Sequence, residues 1–385
     1  WCQRQLACMR STSALVWRAQ SFLVCHSPVH LQGTTLRRVV KVAASAGIIC
    51  WAGVWHPLGV QTRAMSVPGS KSPLRVSLCS DVSGLRRAVE DVFASSSLAS
   101  QYELKLQDLP LEGDSPREAE ILLADPGKVK TILDSVQGLR WLQSTWAGVN
   151  ALECVKRRDF TCTRLAGCFG QQMSEYVLGA VLYEDWSNLA GFQSKGEWAP
   201  GPFKKRRRLN TMTMGFLGVG DIADVISQRA QAFGMRTIGF ATSKRESAHF
   251  DIITADLDKV LGEADVIVSV LPSTKQTRGL LDGGRLQSCG TGKLFINVGR
   301  GDVVSEESLI EALQCKWLRR AVLDVFTTEP LPPTSRFWSH PAVQISPHIA
   351  AVTYADDTAN LFVRNLALWL EGKPLRFVVD LERGY

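Results

Sequence analysis

Residues 212–234 constrain the fold more than any other stretch. Met212–Leu217 is an apolar run of strand length, and Gly218 and Gly220 follow it. From there Ile222, Ile226, Arg229 or Ala230, and Phe233 recur at helical spacing until Gly234 stops the pattern. Strand, glycine turn and helix in that order form the opening unit of a doubly wound parallel sheet. Gly218 permits the tight turn, Gly220 lets backbone approach a pyrophosphate, and Ala223 fills the third small position. The helix start adds unpaired N–H groups and the positive end of a dipole. A corner of the same shape can exist without a ligand, so its meaning depends on its surroundings.

The surroundings alternate strand and helix on both sides, which predicts parallel α/β sheets. Before the turn, strands are expected at Leu74–Cys79, Tyr102–Leu106, Glu120–Leu123, Leu139–Ser144 and Thr161–Leu165, with helices at Gly84–Phe93 and Pro126–Val136. A long helical pattern, Phe169–Trp186, leads into a looser stretch that contains Lys204-Lys205-Arg206-Arg207-Arg208. That run reads as a solvated loop, because runs of like charge usually face water. After the turn come strands at Thr237–Phe240, Asp265–Leu271, Leu294–Val298, Ala321–Val325 and Val343–Ile345, with helices at Leu257–Leu261 and Glu306–Leu313. Ser305 is the expected N-cap of the latter helix, with Glu306 and Glu307 in its first turn. A helix over Tyr354–Leu370 and a short apolar strand, Leu375–Val379, complete the chain.

Charge is unevenly placed. Residues 1–80 hold nine Lys/Arg and no acid, which leaves 35 basic against 37 acidic residues in 81–385. The overall charge of +7 is therefore a property of the tail, and a whole-domain attraction for nucleic acid is not indicated. Residues 1–70 are basic and rich in Ser and Ala, as a mitochondrial transit peptide is, and are expected to be poorly ordered. If that segment is native the protein belongs in the mitochondrial matrix; if it is not translated, with Met65 as the start, in the cytoplasm. Val42–Val60 is nearly long enough to span a bilayer, but His56 and Pro57 interrupt it, and no membrane association is expected. The ten cysteines form no Cys-x-x-Cys pair, so no metal site is expected and they read as small buried hydrophobes.

Six histidines occur, three of them (His26, His30, His56) in the tail. The others are His249, His340 and His348, and His348 follows directly on a strand in Ile345-Ser346-Pro347-His348-Ile349-Ala350. Two neighbouring strands end in polar groups of the same kind. Phe295-Ile296-Asn297-Val298-Gly299-Arg300-Gly301-Asp302 sets an arginine between glycines, and Leu323-Asp324-Val325-Phe326-Thr327-Thr328-Glu329-Pro330 sets a glutamate beyond the next strand. Arginine, glutamate and histidine thus reach the sheet edge where the glycine turn lies, which is where α/β sheets hold ligands.

Those segments, with Val270-Leu271-Pro272-Ser273-Thr274, Thr277 and Trp146-Ala147-Gly148-Val149, resemble the D-isomer-specific 2-hydroxyacid dehydrogenase family, most closely its glyoxylate/hydroxypyruvate reductase branch. The resemblance covers about residues 74–385. It implies two Rossmann-like parallel-sheet domains flanking a cleft: a flavodoxin-like substrate domain (71–168 with 356–385) and a dinucleotide-binding domain (169–355). It implies catalysis by Arg300, Glu329 and His348, the arginine on the substrate carboxylate, the histidine as general acid and the glutamate orienting it. Ala147, Gly148 and Val149 would grip the carboxylate from the first domain. Cofactor contacts would come from Gly218, Val219, Gly220, Asp221 and Ile222, from Leu271, Pro272, Thr274 and Thr277, and from Val298, Gly299 and Asp324. The implied partners are a small 2-oxo or 2-hydroxy acid and a second copy of the chain. Two departures stand out: Asp221 places a carboxylate beside the expected pyrophosphate, and Arg319-Arg320 stands where relatives often have small residues.

Cofactor choice is legible in the residues themselves. An NAD site places an acid after the second strand to bond the ribose 2′-hydroxyl. Here that position reads Thr242-Ser243-Lys244-Arg245, with two cations, two hydroxyls and no acid. NADP(H) is the expected preference, with NAD(H) as the second substrate. The alternative to an enzyme is a catalytically weak, dinucleotide-sensing scaffold of the corepressor type. A formate dehydrogenase is disfavoured, because that branch is expected to carry glutamine in place of Glu329.

Overall fold

A computed structural model describes residues 71–109, 111, 117–184, 189–201, 204 and 206–384. The basic tail, Trp186 and Lys205 lie outside the described residues. In order, the first half contains strand β1 (Ser72–Cys79), helix α1 (Leu85–Ala94), β2 (Tyr102–Asp108), β3 (Ile121–Ala124), α2 (Pro126–Val129), β4 (Trp141–Ser144), β5 (Thr161–Thr163), α3 (Phe169–Glu184) and α4 (Leu189–Ser194). The second half contains β6 (Thr213–Leu217), α5 (Asp221–Ala232), β7 (Arg236–Phe240), β8 (Ile252–Thr254), α6 (Leu257–Glu263), β9 (Val266–Ser269), β10 (Lys293–Asn297), α7 (Glu306–Gln314), β11 (Leu318–Leu323), β12 (Val343–Ile345) and α8 (Ala355–Leu370).

These strands make two wholly parallel sheets. The first runs β2-β1-β3-β4-β5, the flavodoxin-like order, and the second β12-β11-β10-β9-β6-β7-β8. Renumbered from β6, the second sheet is the doubly wound order 3-2-1-4-5-6 with a seventh strand added. Its direction of winding reverses between β6 and β9, so the crevice for a ligand opens beyond Leu217 and Ser269. Central strands of such sheets are covered on both faces, and β3, β4 and β9 are buried at every residue.

The cores explain which helix serves which sheet. Val177, Leu178 and Val181 of α3 pack with Met214, Phe216 and Ile226, on the second sheet. Phe362, Val363 and Leu366 of α8 pack with Val76, Ile121 and Trp141, on the first. The Trp141 indole stacks on Phe362 at 5.4 Å and on Trp369 at 5.6 Å. Buried Asn365 donates to Gln143 Oε1 at 3.1 Å and accepts the Arg376 N–H at 2.9 Å, which ties the C-terminal segment to that sheet.

Four elements depart from expectation, and one is α4, a six-residue helix inside the stretch expected to be loose. The helix expected over Pro126–Val136 ends at Val129 and resumes only as a short turn at Leu133–Ser135. There Ser135 Oγ donates to the Ile132 carbonyl, a local bond that competes with a helix, and Asp134 accepts the distant Lys156 and Arg157 N–H groups. Leu375–Val379 returns to the first sheet but is not a strand. Phe377 sits at φ 56°, which breaks the extended run, and only an isolated antiparallel bridge joins Thr163 to Val378. β8 was not expected; three half-buried residues at a sheet edge carry too short a pattern to read. The Ser305 cap forms as expected, accepting the Ser308 N–H.

Candidate active site

The glycine turn has the geometry of an anion cradle. Gly218 sits at φ 99°, where a side chain would be strained, and its N–H donates to the Phe240 carbonyl at 3.1 Å. A Cβ at Gly220 would meet nothing within 4 Å, so the backbone there faces open space. Gly220 is the N-cap of α5 and makes no side-chain cap, which leaves first-turn N–H groups of this 12-residue helix to a ligand. Val219 and Ile222 are half-buried against the core beneath. The residues present therefore fit a dinucleotide pyrophosphate.

Two acids lie in that first turn, and neither points into the cradle. Asp221 Oδ2 accepts the Gly167 N–H at 3.0 Å and Oδ1 lies 3.8 Å from Arg164 Nη2. This explains how a carboxylate is tolerated beside the expected pyrophosphate. Asp224 bonds the Ser247 hydroxyl and stands 3.8 Å from His249 Nε2.

Beyond β7, Thr242, Ser243, Lys244 and Arg245 are all exposed. Lys244 pairs with Glu246 at 3.4 Å, but both are largely solvated, and such a pair contributes about 0–1 kcal/mol. Beyond β9, the Thr277 hydroxyl donates to the Pro272 carbonyl at 2.6 Å and accepts the Thr274 N–H at 2.8 Å, which makes a rigid turn. Gly299 backs directly on this segment; a Cβ there would stand 2.8 Å from the Leu271 backbone. Leu271, Thr274 and Val298 are buried.

Arg300 projects from the end of β10. Its Nε donates to Asn150 Oδ1 at 3.1 Å and its Nη1 to the Gly299 carbonyl at 2.6 Å. Its Nη2 lies against Gly148, 1.7 Å from where a Cβ would stand. Burial pulls the guanidinium below its ordinary pKa, with Glu329 and Asp302 pulling it back and Arg164 adding to the decrease. It remains a cation, since arginine is effectively always protonated. The Val149 side chain is buried in the first core, so this residue offers only backbone to the cleft. Ala147 is half-buried beside Leu165 and Phe169.

His348 Nδ1 meets Glu329 Oε2 at 2.8 Å, while Glu329 Oε1 accepts the Phe326 N–H at 2.8 Å. The Glu329 hydrogen bond raises the His348 pKa; burial opposes it, the Glu329 and Asp324 charges reinforce it, and Arg300 opposes it. Burial by itself would raise the Glu329 carboxyl, but the His348 and Phe326 hydrogen bonds and the His348 and Arg300 charges leave it below its ordinary value. Arginine, glutamate and histidine are thus electrostatically coupled in one site.

Asp324 has a structural task of its own. It is 1% exposed and accepts from the Ser346 hydroxyl at 2.5 Å and from the Ile349 and Ala350 N–H groups at 2.9 Å each. Its own carbonyl accepts the His348 N–H at 2.9 Å. His348 sits at φ 55°, and Tyr176 of α3 reaches Ser346 at 2.6 Å. Asp324 therefore sets the conformation of the loop that carries the histidine. Sequence reasoning missed Asn150, the residue that holds Arg300; its only signal was its place directly after Val149.

The remaining polar features are structural. Arg207 is not merely solvated: it pairs with both oxygens of Asp265 and donates to the Thr211 carbonyl at 3.0 Å. Arg319 and Arg320 both meet Glu184 of α3, at 3.4 and 3.1 Å. Cys79, Cys162 and Cys289 are buried as expected, and burial pushes the latter two thiols up to about 12. Cys154 and Cys315 are exposed, contrary to expectation. Cys168 is half-buried, with its thiol also pushed up to about 12 by burial, and the other four cysteines lie outside the described residues. Among the described residues no cluster of His, Cys, Asp or Glu could hold a metal ion, and no helix is long and apolar enough to cross a membrane.

Comparison with known proteins gives a consistent set of likenesses. The D-isomer specific 2-hydroxyacid dehydrogenase NAD-binding domain matches residues 181–350. The glyoxylate/hydroxypyruvate reductase A of Citrobacter koseri is 30% identical over 220 residues, which are 56% of this chain and 70% of that protein. A D-isomer specific 2-hydroxyacid dehydrogenase family protein from Aeromonas salmonicida superposes with a TM-score of 0.70 at 35% identity, covering 81% of this chain and all of that one. The NADPH-dependent glyoxylate/hydroxypyruvate reductase of Sinorhizobium meliloti, solved with NADP and sulfate, superposes with a TM-score of 0.70 at 28% identity, covering 82% of this chain and all of that one.

Proposed function

The chain belongs to the D-isomer-specific 2-hydroxyacid dehydrogenase family and is an oxidoreductase, and from that premise we propose that it reduces small 2-oxo acids of the glyoxylate and hydroxypyruvate class to D-2-hydroxy acids, with NADPH preferred over NADH. The observation that carries the reading is the coupled set of Arg300, Glu329 and His348 beside an uncapped glycine cradle. Residues 71–168 with 356–385 would hold the acid, and residues 169–355 the dinucleotide.

In this reading Arg300 binds the carboxylate and the 2-oxo oxygen of the substrate. Its guanidinium suits a planar 2-oxo acid because its donors form a fixed fork. Asn150 and Gly299 hold that fork from behind. Glu329 holds His348 through Nδ1, which leaves Nε2 to carry the exchangeable proton. NADPH, when bound, would supply a hydride to C2 of the substrate. As negative charge grows on the 2-oxo oxygen, His348 donates its proton there and becomes neutral, and Arg300 stabilises what charge remains. Solvent then reprotonates His348. In the oxidative direction the neutral histidine removes the hydroxyl proton.

The exposed Thr242–Arg245 segment supports NADPH, because two cations and two hydroxyls suit a 2′-phosphate and no acid is present to take a 2′-hydroxyl. Relatives solved with NADP or NADPH carry the same implication. The test is NADPH oxidation, followed by the loss of reduced-nicotinamide absorbance, with glyoxylate and hydroxypyruvate as substrates. Arg245→Ala should raise the KM for NADPH much more than that for NADH. Equal effects on the two would overturn the cofactor assignment. Tight NADPH binding without turnover of any small 2-oxo acid would replace the enzyme with a nucleotide-sensing scaffold.

A further inference from the structure

Arg300 does not hold its position alone. Asn150, which takes its Nε, is bonded in turn to two groups. Its Nδ2 donates to the Ser273 carbonyl at 3.1 Å and to Glu153 Oε1 at 3.2 Å. Glu153 Oε1 also accepts Arg278 Nη2 at 2.7 Å. Arg278 Nε then donates to Ser273 Oγ at 2.8 Å and reaches Asp302 Oδ2 at 3.3 Å. Ser273 Oγ bonds the same carboxylate oxygen. Asn150 and Glu153 lie on the loop after β4, in the first sheet's half of the molecule. Ser273, Arg278, Arg300 and Asp302 lie beyond β9 and β10, in the second. The chain of bonds therefore crosses the cleft and closes on itself two residues from Arg300.

We propose that Asn150, Glu153 and Arg278 form a cross-cleft brace that positions Arg300 for the substrate carboxylate, so that the arginine is correctly aimed only when the two halves are closed. The inference rests on the reading of Arg300 as the carboxylate-binding residue. The chemistry of each link fits the task. Arg300 can only donate, whereas the Ser273 carbonyl and the Glu153 carboxylate can only accept. An amide at position 150 satisfies both demands at once, with Oδ1 toward Arg300 and Nδ2 toward the others. A carboxylate there would keep the first contact and lose the second. Arg278 keeps Glu153 ionised: its hydrogen bond holds that carboxyl below the ordinary range against partial burial. Asp302 Oδ1 is buried with no hydrogen-bond partner among the described residues, so this carboxylate joins the brace through Oδ2, to Arg278 and Ser273.

None of these three residues is assigned to the chemical step; they act through Arg300. The brace therefore predicts a KM effect without a matching loss of cofactor affinity. Asn150→Ala should raise the KM for glyoxylate about 10-fold, the scale of one lost hydrogen bond to a charged group. The Kd for NADPH, read by fluorescence, should stay within about 2-fold, since uniform cofactor binding is untouched. Arg278→Ala, which does not touch Arg300, should raise the same KM, and Arg278→Lys should restore part of it. Asn150→Ala/Arg278→Ala should be little worse than Asn150→Ala alone, because both act through one path. Asn150→Asp keeps an acceptor for Arg300 but loses the two Nδ2 bonds, so its KM should lie between those of the wild type and Asn150→Ala.

A parallel titration of oxalate, a planar unreactive dicarboxylate, into the NADP+-loaded protein measures Arg300 directly by heat. A wild-type protein that turns nothing over but loses oxalate affinity on Asn150→Ala keeps the brace and sinks the proposed reaction. A wild-type enzyme that is active, with Asn150→Asp matching it or with the two alanine effects simply multiplying, sinks the brace and keeps the reaction. Absence of both turnover and oxalate binding in the wild type overturns both.

Discussion

Gly148→Ala is the sharpest test of how Arg300 is held. The backbone at Gly148 does not lie in the left-handed region, so alanine is acceptable there on conformational grounds. The obstacle is a single contact. The new methyl would stand 1.7 Å from Arg300 Nη2 and 2.9 Å from Cζ, where ordinary van der Waals contact begins at 3.4 Å. The guanidinium must therefore retreat by at least the missing 1.7 Å. It can do so, because the clashing atom is the far end of a flexible side chain, and the core behind Val149 need not move. It cannot do so and keep both its Nε bond to Asn150 and its Nη1 bond to the Gly299 carbonyl. A displacement of about 1 Å at a catalytic group costs on the order of 100-fold in rate. The variant should thus fold, bind NADPH within about 2-fold of the wild type, and lose at least about 100-fold in kcat/KM for glyoxylate. Circular dichroism, nucleotide fluorescence and steady-state kinetics give the three readings. A folded Gly148→Ala enzyme with kcat/KM within about 3-fold of wild type would refute the position assigned to Arg300.

Three further outcomes follow from the same geometry. His348→Ala should lower kcat for reduction by at least about 100-fold, the usual contribution of a positioned acid, and a smaller loss would assign the proton to another group. Reduction needs protonated His348, whose pKa is raised chiefly by the Glu329 bond, so the rate falls as pH rises through that raised value. Glu329→Gln removes the cause, and the descending limb of the pH–rate profile should move to lower pH; an unmoved limb, or one moved upward, would contradict the pairing. Asp324→Ala deprives the Ser346 hydroxyl and the Ile349 and Ala350 N–H groups of their acceptor. At about 1–3 kcal/mol for a buried group left unpaired, urea unfolding should show a loss of at least about 2 kcal/mol, and a loss under about 0.5 kcal/mol would deny Asp324 its bracing role.

Much of this was legible in the chain, for reasons that differ by element. β6, the glycine turn and α5 announce themselves because a buried parallel strand, a positive-φ glycine and an amphipathic helix each leave a local mark. Arg300, Glu329 and His348 were legible as a group because each follows a strand of one sheet, and parallel strands deliver their C-terminal ends to one edge. What the chain hides is direction. The helix expected to Val136 stops at Val129 because the partners of Asp134 are more than twenty residues away. Leu375–Val379 has a strand's composition, but Phe377 takes a backbone angle that composition does not encode. Asn150 sits beside a motif that was read for its backbone, and its amide matters only once residues 273 and 300 are brought to it.

Asp221 shows the same limit at the centre of the fold. Its position in the first turn of α5 is visible in the sequence, and a carboxylate there is favoured by the helix dipole. A pyrophosphate in the cradle would be repelled by that charge if the side chain faced it. The structure resolves the conflict by aiming the carboxylate backward, onto the Gly167 N–H at 3.0 Å and toward Arg164 at 3.8 Å. Gly167 and Arg164 lie between β5 and α3, where the chain passes from the first sheet to the second. Asp221 thus fastens that crossing to the start of the helix that cradles the nucleotide, and Arg164 offsets its charge. Asp324 behaves alike at the other end of the site, where a carboxylate that reads as a ligand contact braces the loop bearing His348. In both places the acid's value to the site is mechanical. At both positions the carboxylate is already committed to hydrogen-bond donors of the protein itself.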